Sequence, residues 1–214
     1  MSDVLVIVVV MAVAYFVGAI PSGVIIGRLW RGIDVRSYGS GGSGATNVNR
    51  TLGPKAGAGA LAADIGKGMT VTIVARLLSD DPWLTAAAGT VAVLGHMFPI
   101  YIKFKGGKGV ATGLGALAVI SPISAGIALV GVLIALASRY VSLGSIIGST
   151  SSLGALFIFS IFELFDHDVW YLLFAIPVPI LIIWSHLSNI DRLAKGEESR
   201  LENRAAPRRA RRTP

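Results

Sequence analysis

Residues 103–112 read KFKGGKGVAT, with three lysines and three glycines between two apolar segments that are long enough to enter a bilayer. A lysine at the centre of a spanning helix costs at least about 2.5 kcal/mol, so this stretch must lie at or near a membrane surface. Glycines allow several backbone N–H groups to point at one anion, and a lysine adds a positive charge. The stretch therefore fits a loop that binds an oxyanion, most simply phosphate, and fits equally well a basic loop between two membrane helices.

The composition is that of a polytopic membrane protein. Of the 214 residues, 53% are hydrophobic and only 14% are charged, whereas a soluble domain carries roughly a quarter of charged residues. The net charge of +7 suits anionic lipid headgroups or phosphorylated substrates better than base reading, so we expect no nucleic-acid partner. The absence of cysteine excludes disulfides and thiolate catalysis. We expect one integral-membrane domain over residues 1–204 and a disordered basic tail over residues 205–214.

The apolar segments predict an all-α fold of seven transmembrane helices, with the N-terminus outside and the C-terminus in the cytoplasm. The predicted helices cover residues 4–29, 56–78, 84–102, 110–120, 122–137, 143–162 and 169–187. Within the first of them, Pro21 should loosen or kink the last turns.

A break at Ser121-Pro122 decides the number of crossings. Without it, one span over residues 110–137 would place the arginine-rich C-terminal tail outside, against the positive-inside rule. With it, the helix over residues 110–120 is too short to cross a bilayer alone. A five-helix arrangement that merges two segments is the alternative.

Three polar stretches fall on the inner side in this topology, namely residues 30–55, 103–112 and 186–204. The first contains YGSGGSGATNVNRTLG over residues 38–53. Its glycines match the dinucleotide pattern, but no strand precedes them, so we reject that interpretation. Hydroxyl and amide side chains with Arg50 fit a second oxyanion loop, and a flexible Gly/Ser linker is the alternative. The stretch 103–112 is not a P-loop, because Gly109 rather than Ser or Thr follows Lys108.

The third polar stretch places His186, Asn189 and Arg192 on one helical face. The His-x-x-Asn spacing is not a metal pattern, and too few carboxylates lie nearby for a two-metal centre. In the second predicted helix, Asp64 and Lys67 are three residues apart. We interpret them as a mutually neutralising pair that anchors helix packing, with a functional role as the alternative.

Together the three stretches resemble the signature motifs of the acyl-phosphate-dependent glycerol-3-phosphate acyltransferases (PlsY family). The matching residues are GSG and GATNV with Arg50 within 39–53, GH and FKGGKGVAT within 95–112, and the His, Asn, Arg, Gly and Glu of 186–197. The resemblance runs from the first helix to about Arg200. In one departure, Gly42 stands where the family usually has asparagine.

The resemblance implies a multi-pass enzyme of the bacterial inner membrane with its active site facing the cytoplasm. Such an enzyme transfers a fatty acyl group from acyl phosphate to the sn-1 hydroxyl of glycerol 3-phosphate. The products are lysophosphatidic acid and inorganic phosphate, at the first step of phospholipid synthesis. The enzyme works among membrane lipids, without a metal or other cofactor. An anion transporter and a lipid phosphatase are the alternatives.

The resemblance also implies site residues. The expected catalytic residues are Ser40, Arg50, Lys108, His186, Asn189 and Glu197. The expected phosphate- and substrate-binding residues are Gly44, Thr46, Asn47, His96, Lys105, Gly106, Gly107, Gly109, Val110, Ala111, Thr112 and Arg192. A substrate phosphate oxygen could take the hydroxyl proton, with Asn189 or Ser40 orienting the hydroxyl, or His186 could act as general base.

Overall fold

Residues 3–207 are described by this structure, a computed structural model, and within them the chain forms eleven α-helices joined by loops and short 3-10 turns. The helices are α1 (Asp3–Gly18), α2 (Ser22–Arg31), α3 (Ala45–Leu52), α4 (Pro54–Leu78), α5 (Pro82–Met97), α6 (Val110–Ile120), α7 (Pro122–Ile127), α8 (Leu129–Ser138), α9 (Val141–Ile161), α10 (Leu172–Ala175) and α11 (Pro177–Ala194). The predicted all-α fold is confirmed.

Several helices are long and apolar enough to cross a membrane. Among the described residues, the five such segments are Val4–Arg31, Pro54–Leu78, Pro82–Ile102, Val141–Ile161 and Val169–Ala194. Large apolar side chains point outward from the bundle: Leu77 is 80% exposed and Leu133 is 66% exposed. So much exposed apolar surface suits contact with lipid. The chain is therefore a multi-pass membrane protein.

Prolines divide the helices where the sequence predicts a break. Helix α1 ends before Pro21 and α2 begins after it, so the first predicted helix is interrupted there. Helix α6 ends at Ile120, and the side chain of Ser121 accepts a hydrogen bond from the backbone N–H of Ser124 at the start of α7. Both predicted breaks are confirmed. The predicted helix over residues 122–137 is two helices, α7 and α8, and α11 continues beyond residue 187.

Helix α5 is the centre of the bundle. One of its faces packs through Val93 and Met97 into a core that includes Phe174. Its opposite face packs through Ala88 and Ala92 against α1. Because α5 packs against other helices on both faces, its C-terminal end is fixed in place, and the lysine-glycine stretch that follows can pack against it.

The short helix α6 is enclosed by longer neighbours, and glycines bring it against α4. A Cβ atom on Gly68 would lie 2.1 Å from the carbonyl oxygen of Thr112, and one on Gly115 would lie 2.0 Å from that of Ile65. Only glycine permits such backbone contact between helices. This contact fixes the first turn of α6, which begins directly after the lysine-glycine stretch.

Candidate active site

The lysine-glycine stretch folds back on the end of α5. The N–H groups of Gly106 and Gly107 donate to the carbonyl oxygens of Met97 and His96, each at 3.2 Å. A Cβ atom on Gly107 would lie 2.1 Å from Nε2 of His96. The two glycines therefore allow the loop to lie directly against the C-terminal end of α5. This contact positions Lys108, which follows them.

The side chain of His96 packs against this loop at Gly107. It is buried, and its Nδ1 lies 3.6 Å from Oδ1 of Asp64. Nζ of Lys67 lies 3.0 Å from the same Asp64 oxygen and donates to the carbonyl oxygen of Ile20 at 3.0 Å. The interpretation of Asp64 and Lys67 as a packing pair fits these contacts. The structure does not bring His96 into the polar cluster around Lys108.

A chain of hydrogen bonds starts at Lys108 and runs through α11. Nζ of Lys108 donates to Oδ1 of Asn189, and Nδ2 of Asn189 donates to Oε1 of Glu198 at 2.7 Å. Nε of Arg192 donates to the other oxygen of Glu198 at 2.7 Å, and Oγ of Ser142 donates to Oε1 at 2.9 Å. One buried carboxylate therefore orients the amide and the cations around it.

The glutamate in this cluster is Glu198, whereas the motif resemblance implies Glu197. The side chain of Glu198 is 2% exposed, whereas Glu197 is exposed to solvent. Helix α11 ends at Ala194 and Gly196 has a φ of +71°, which reverses the chain. The helical spacing that links His186 to Arg192 consequently does not extend to the glutamates. The structure thus brings Glu198 into the cluster and leaves Glu197, the expected catalytic residue, outside it.

Ser142 is a member of the cluster for which the sequence held no signal. It lies at the start of α9, an apolar helix with many serines and threonines. Nothing distinguishes Ser142 from the other hydroxyl residues of that helix until the fold places it beside Glu198.

Arg50 reaches the same cluster from α3. Its Nη2 donates to the carbonyl oxygen of Ser199 at 2.8 Å, next to Glu198, and its buried Nε has no hydrogen-bond partner among the described residues. Burial lowers the pKa of Arg50, while the charge of Glu198 raises it and that of Arg192 lowers it further. The guanidinium thus has donors to spare for a ligand.

Asn47 folds the first glycine loop. Its Nδ2 donates to the carbonyl oxygens of Val35 and Gly42, each at 2.9 Å, and its Oδ1 accepts from the N–H of Ser40 at 3.1 Å. Gly39, with a φ of +52°, passes so close that a Cβ atom there would lie 2.5 Å from Oδ1 of Asn47. The loop is a turn folded around Asn47, not a flexible linker. The Asn47 side chain is occupied in this role, and Ser40 is exposed.

The departure at Gly42 leaves room for the asparagine that is usual in the family. A Cβ atom on Gly42 would meet only Oγ of Ser40, at 3.8 Å. The hydrogen bond from Asn47 to position 42 is made to the backbone carbonyl of Gly42, so it does not require a side chain there.

The segment after Glu198 lies across this loop. The N–H of Ala205 donates to the carbonyl oxygen of Arg50 at 3.0 Å, and the N–H of Gly39 donates to that of Ala206 at 3.1 Å. Tyr38 pairs with Pro207 in an isolated bridge. Residues 205–207 of the predicted tail therefore pack on the first loop, and residues 208–214 lie outside the described part of the chain.

The remaining predicted residues divide between helix starts and a separate cavity. Gly44 is the N-cap of α3 and Thr46 lies in its first turn, while Gly109 is the N-cap of α6 and Val110, Ala111 and Thr112 form its first turn. Lys105 instead lines a cavity that does not contain Lys108.

His186 and Asn189 are both buried on one face of α11, three residues apart. Nδ1 of His186 lies 2.8 Å from the carbonyl oxygen of Ile182. A carbonyl only accepts, so Nδ1 carries the hydrogen and Nε2 holds a free lone pair. The ring can therefore accept a proton or a hydrogen bond through Nε2.

The cluster carries an excess of positive charge. Arg192 bonds directly to the carboxylate of Glu198, and Lys108 and Arg50 bond to Asn189 and Ser199 beside it, so three cations lie around one carboxylate. Burial raises the pKa of Glu198, but hydrogen bonds from Asn189, Arg192 and Ser142 lower it below its usual range, so the carboxylate stays ionised. Burial lowers the pKa of Lys108 to about 8; Glu198 opposes this shift, and Arg192 and Arg50 add to it.

Such a site suits a multiply charged anion. The N-termini of α3 and α6 add partial positive charge and unpaired N–H groups at the ends of both glycine loops. Within residues 3–207, no three His, Cys, Asp or Glu side chains lie together as a metal site would need.

Known proteins resemble this chain over most of its length. The family model for glycerol-3-phosphate acyltransferase matches residues 8–196. A glycerol-3-phosphate acyltransferase of Geobacter sulfurreducens is 42% identical over 193 residues, covering 89% of this chain and 95% of that protein. One of Desulforamulus reducens is 40% identical over 189 residues, covering 88% of this chain and 92% of that protein.

Two solved structures have the same fold. The crystal structure of PlsY (YgiH), an integral membrane glycerol 3-phosphate acyltransferase, in its glycerol 3-phosphate form has a TM-score of 0.84 at 40% identity, covering 91% of this chain and 94% of that one. The lysophosphatidic acid form of PlsY has a TM-score of 0.81 at the same identity and coverage.

The fold and the cationic site thus define a multi-pass membrane enzyme. The chain belongs to the glycerol-3-phosphate acyltransferase family.

The two adjacent glutamates provide a direct test of the site geometry. Glu198→Gln removes the charge that pairs with Arg192 and orients Asn189, and we expect it to lower kcat/KM for acyl transfer by about 10- to 100-fold, as the loss of charged hydrogen bonds predicts. Glu197→Gln is the matched control and should change kcat/KM less than twofold. Equal losses in the two variants would contradict the placement of Glu198.

Proposed function

We propose that this protein transfers a fatty acyl group from acyl phosphate to the sn-1 hydroxyl of glycerol 3-phosphate. The hydroxyl oxygen attacks the acyl carbonyl carbon, and the bond from that carbon to the phosphate oxygen breaks. Lysophosphatidic acid and inorganic phosphate are released, and the hydroxyl proton leaves with a base. This reaction is the first step of phospholipid synthesis.

The observation that carries the proposal is the convergence of Arg50, Lys108 and Arg192 around the single carboxylate of Glu198. Both proposed substrates carry a phosphate, and three cations against one anion leave charge to bind it. Arg50 can contact a phosphate in bidentate fashion, and Lys108 adds a point charge. The names of the relatives support glycerol 3-phosphate as the acceptor, and the motif resemblance supports acyl phosphate as the donor.

The roles of the residues rest on their contacts and on the motif resemblance. Lys108 and Arg50 hold substrate phosphate, together with the N–H groups at the start of α6. Asn189 or Ser40 orients the acceptor hydroxyl. Glu198 positions Asn189 and Arg192, and the glycine contacts with His96 hold Lys108 in place.

Transfer proceeds directly, without an acyl-enzyme intermediate. Acyl phosphate is a mixed anhydride with a good leaving group, so positioning and stabilisation of the departing phosphate supply most of the rate. The hydroxyl proton goes to a substrate phosphate oxygen, and His186 is the competing base because its Nε2 is open.

The seven-span topology is also part of the proposal, with the N-terminus outside and the active site at the cytoplasmic face of a bacterial inner membrane. The two shorter apolar helical segments, Val110–Ile120 and Pro122–Ser138, would add two crossings to the five longer ones. Helix α9 begins at the cluster, where Ser142 bonds to Glu198, and α4 begins directly after α3, which carries Arg50. Both helices end at acidic loops, residues 79–81 and 163–168. Basic residues at one end and acidic residues at the other support the cytoplasmic placement of the cluster.

Cysteine labelling tests this topology, and the absence of native cysteine makes the background clean. In intact cells, Asp166→Cys should react with a membrane-impermeant maleimide, whereas Arg139→Cys should react only after permeabilisation. Both native side chains are exposed. Labelling of Arg139→Cys from outside would contradict the seven-span arrangement.

Reconstitution tests the proposed reaction. Purified protein in lipid vesicles with acyl phosphate and glycerol 3-phosphate should form lysophosphatidic acid and inorganic phosphate in equal amounts. Lys108→Gln should lose at least about 100-fold in rate, the loss seen when one electrostatic donor is removed. Lys195→Gln, an exposed residue paired with Asp191, should retain full activity. Release of phosphate without lysophosphatidic acid would favour a lipid phosphatase. If neither lysophosphatidic acid nor phosphate forms, the result would favour a transporter.

His186→Gln distinguishes the two routes for the proton. A glutamine keeps a polar side chain at this position but cannot act as a base. If substrate phosphate takes the proton, the variant should retain most of its kcat; a loss of 100-fold or more would assign the base role to His186. The variant's melting temperature, compared with that of the unmodified protein, controls for misfolding.

A further inference from the structure

A cavity lies on the surface formed by the segment after α2 and the start of the lysine-glycine stretch. Its volume is about 370 Å³, and it is lined by Asp34, Arg36, Ser37, Gly41, Ile102, Lys103 and Lys105. None of the residues that form the cluster around Glu198 lines it. It is formed where the segment after α2 meets the start of the lysine-glycine stretch.

The charge of this cavity is positive. Arg36 is paired with Asp34, with Nη2 to Oδ2 at 2.6 Å and Nε to Oδ1 at 3.0 Å. These hydrogen bonds lower the pKa of Asp34, so the pair stays ionised and its charges cancel. Lys103 and Lys105 form no ion pair within residues 3–207. Two uncompensated ammonium groups therefore line the same space.

The backbone presents both lysines to the cavity. Lys103 and Phe104 have φ values of 58° and 59°, in the left-handed region that residues with a Cβ atom rarely adopt. The N–H of Phe104 donates to the carbonyl oxygen of Pro99 at 2.9 Å, and Nη1 of Arg36 donates to that of Ile102 at 3.2 Å. Lys103 and Lys105 line the cavity, and Phe104 between them does not.

Apolar side chains beside the cavity point away from the protein. Ile100, Tyr101 and Phe104 are 47%, 56% and 56% exposed. Aromatic residues next to lysines are typical of the interface between a membrane and water, where the ring meets the lipid and the charge meets the headgroups. The cavity therefore opens at the level of the lipid headgroups.

We propose that this cavity binds the phosphate of an anionic membrane lipid. Lys103 and Lys105 contact the phosphate, the Arg36–Asp34 pair forms the back wall, and Tyr101 and Phe104 lie against the acyl chains. The apolar flank favours a lipid over a soluble phosphate, because a soluble ion would gain nothing from it. The site is separate from the acyl-transfer site and does not depend on the reaction proposed above.

Lipid retention tests this proposal on the full-length protein. The protein is purified from vesicles of phosphatidylcholine and phosphatidylglycerol in equal amounts, and the lipids that remain bound are counted by native mass spectrometry. We expect the unmodified protein to retain phosphatidylglycerol in preference to phosphatidylcholine. In Lys103→Gln/Lys105→Gln the preference should fall about tenfold, because each lysine near an anionic surface contributes several-fold to binding.

The matched control removes the same charge outside the cavity. Arg31 and Lys55 are exposed basic residues near the same end of the bundle and do not line the cavity. Arg31→Gln/Lys55→Gln should change the preference less than twofold. If the control loses as much as the test variant, bulk charge explains the binding and the proposal is wrong.

A soluble ligand is the other source of phosphate. Titration of inorganic phosphate, followed by ³¹P NMR in neutral detergent, should give no binding that depends on Lys103 and Lys105. Such binding without preferential retention of phosphatidylglycerol would overturn the lipid assignment. If the double variant does not elute as a folded protein, Lys105→Gln alone should lower the lipid preference about threefold.

Discussion

The candidate active site depends on the series of hydrogen bonds that links Lys108 through Asn189 to Glu198. A buried carboxylate is costly unless its oxygens are satisfied, and Glu198 is satisfied by three side chains from α9 and α11. Without that carboxylate, Arg50, Lys108 and Arg192 would repel one another in a space of low dielectric. Glu198 therefore makes it possible to gather three cations while leaving enough positive charge for a phosphate.

The rest of the fold holds the residues at both ends of this hydrogen-bond series in place. The packing of α5 between two cores fixes the surface on which Gly106 and Gly107 lie, and glycine contacts between α4 and α6 fix the helix that follows. On the other side, Asn47 shapes the first loop and α3 carries Arg50. The segment over residues 199–207 connects the two sides, since it contacts both Arg50 and the first loop. Each loop of the site is thus tied to a helix.

The sequence predicts the parts of this arrangement that depend on hydrophobicity and helix count. Long apolar segments define the helices, Ser121-Pro122 defines a break, and counting crossings places the three polar stretches at one end of the bundle. Helix α3 escapes prediction because a short polar helix of eight residues has no apolar periodicity. The choice of Glu198 over Glu197 escapes it because the turn at Gly196 ends the helical spacing. Lys105 and His96 belong to the second motif, but Lys105 lines a separate cavity and His96 lies beside Asp64. Tertiary packing decides these positions, so the motif alone does not predict them.

The pH dependence of kcat/KM for glycerol 3-phosphate tests the central claim most directly, because it reports the ionisation of groups in the free enzyme. With a Lys108 pKa of about 8, the charge that binds phosphate is present below that pH and is lost above it. We predict that kcat/KM falls about tenfold per pH unit above roughly pH 8. In Lys108→Arg, whose guanidinium stays charged, the residual activity should not show this fall. The same fall in Lys108→Arg, or a flat profile to pH 9.5 in the unmodified protein, would contradict a phosphate site centred on Lys108.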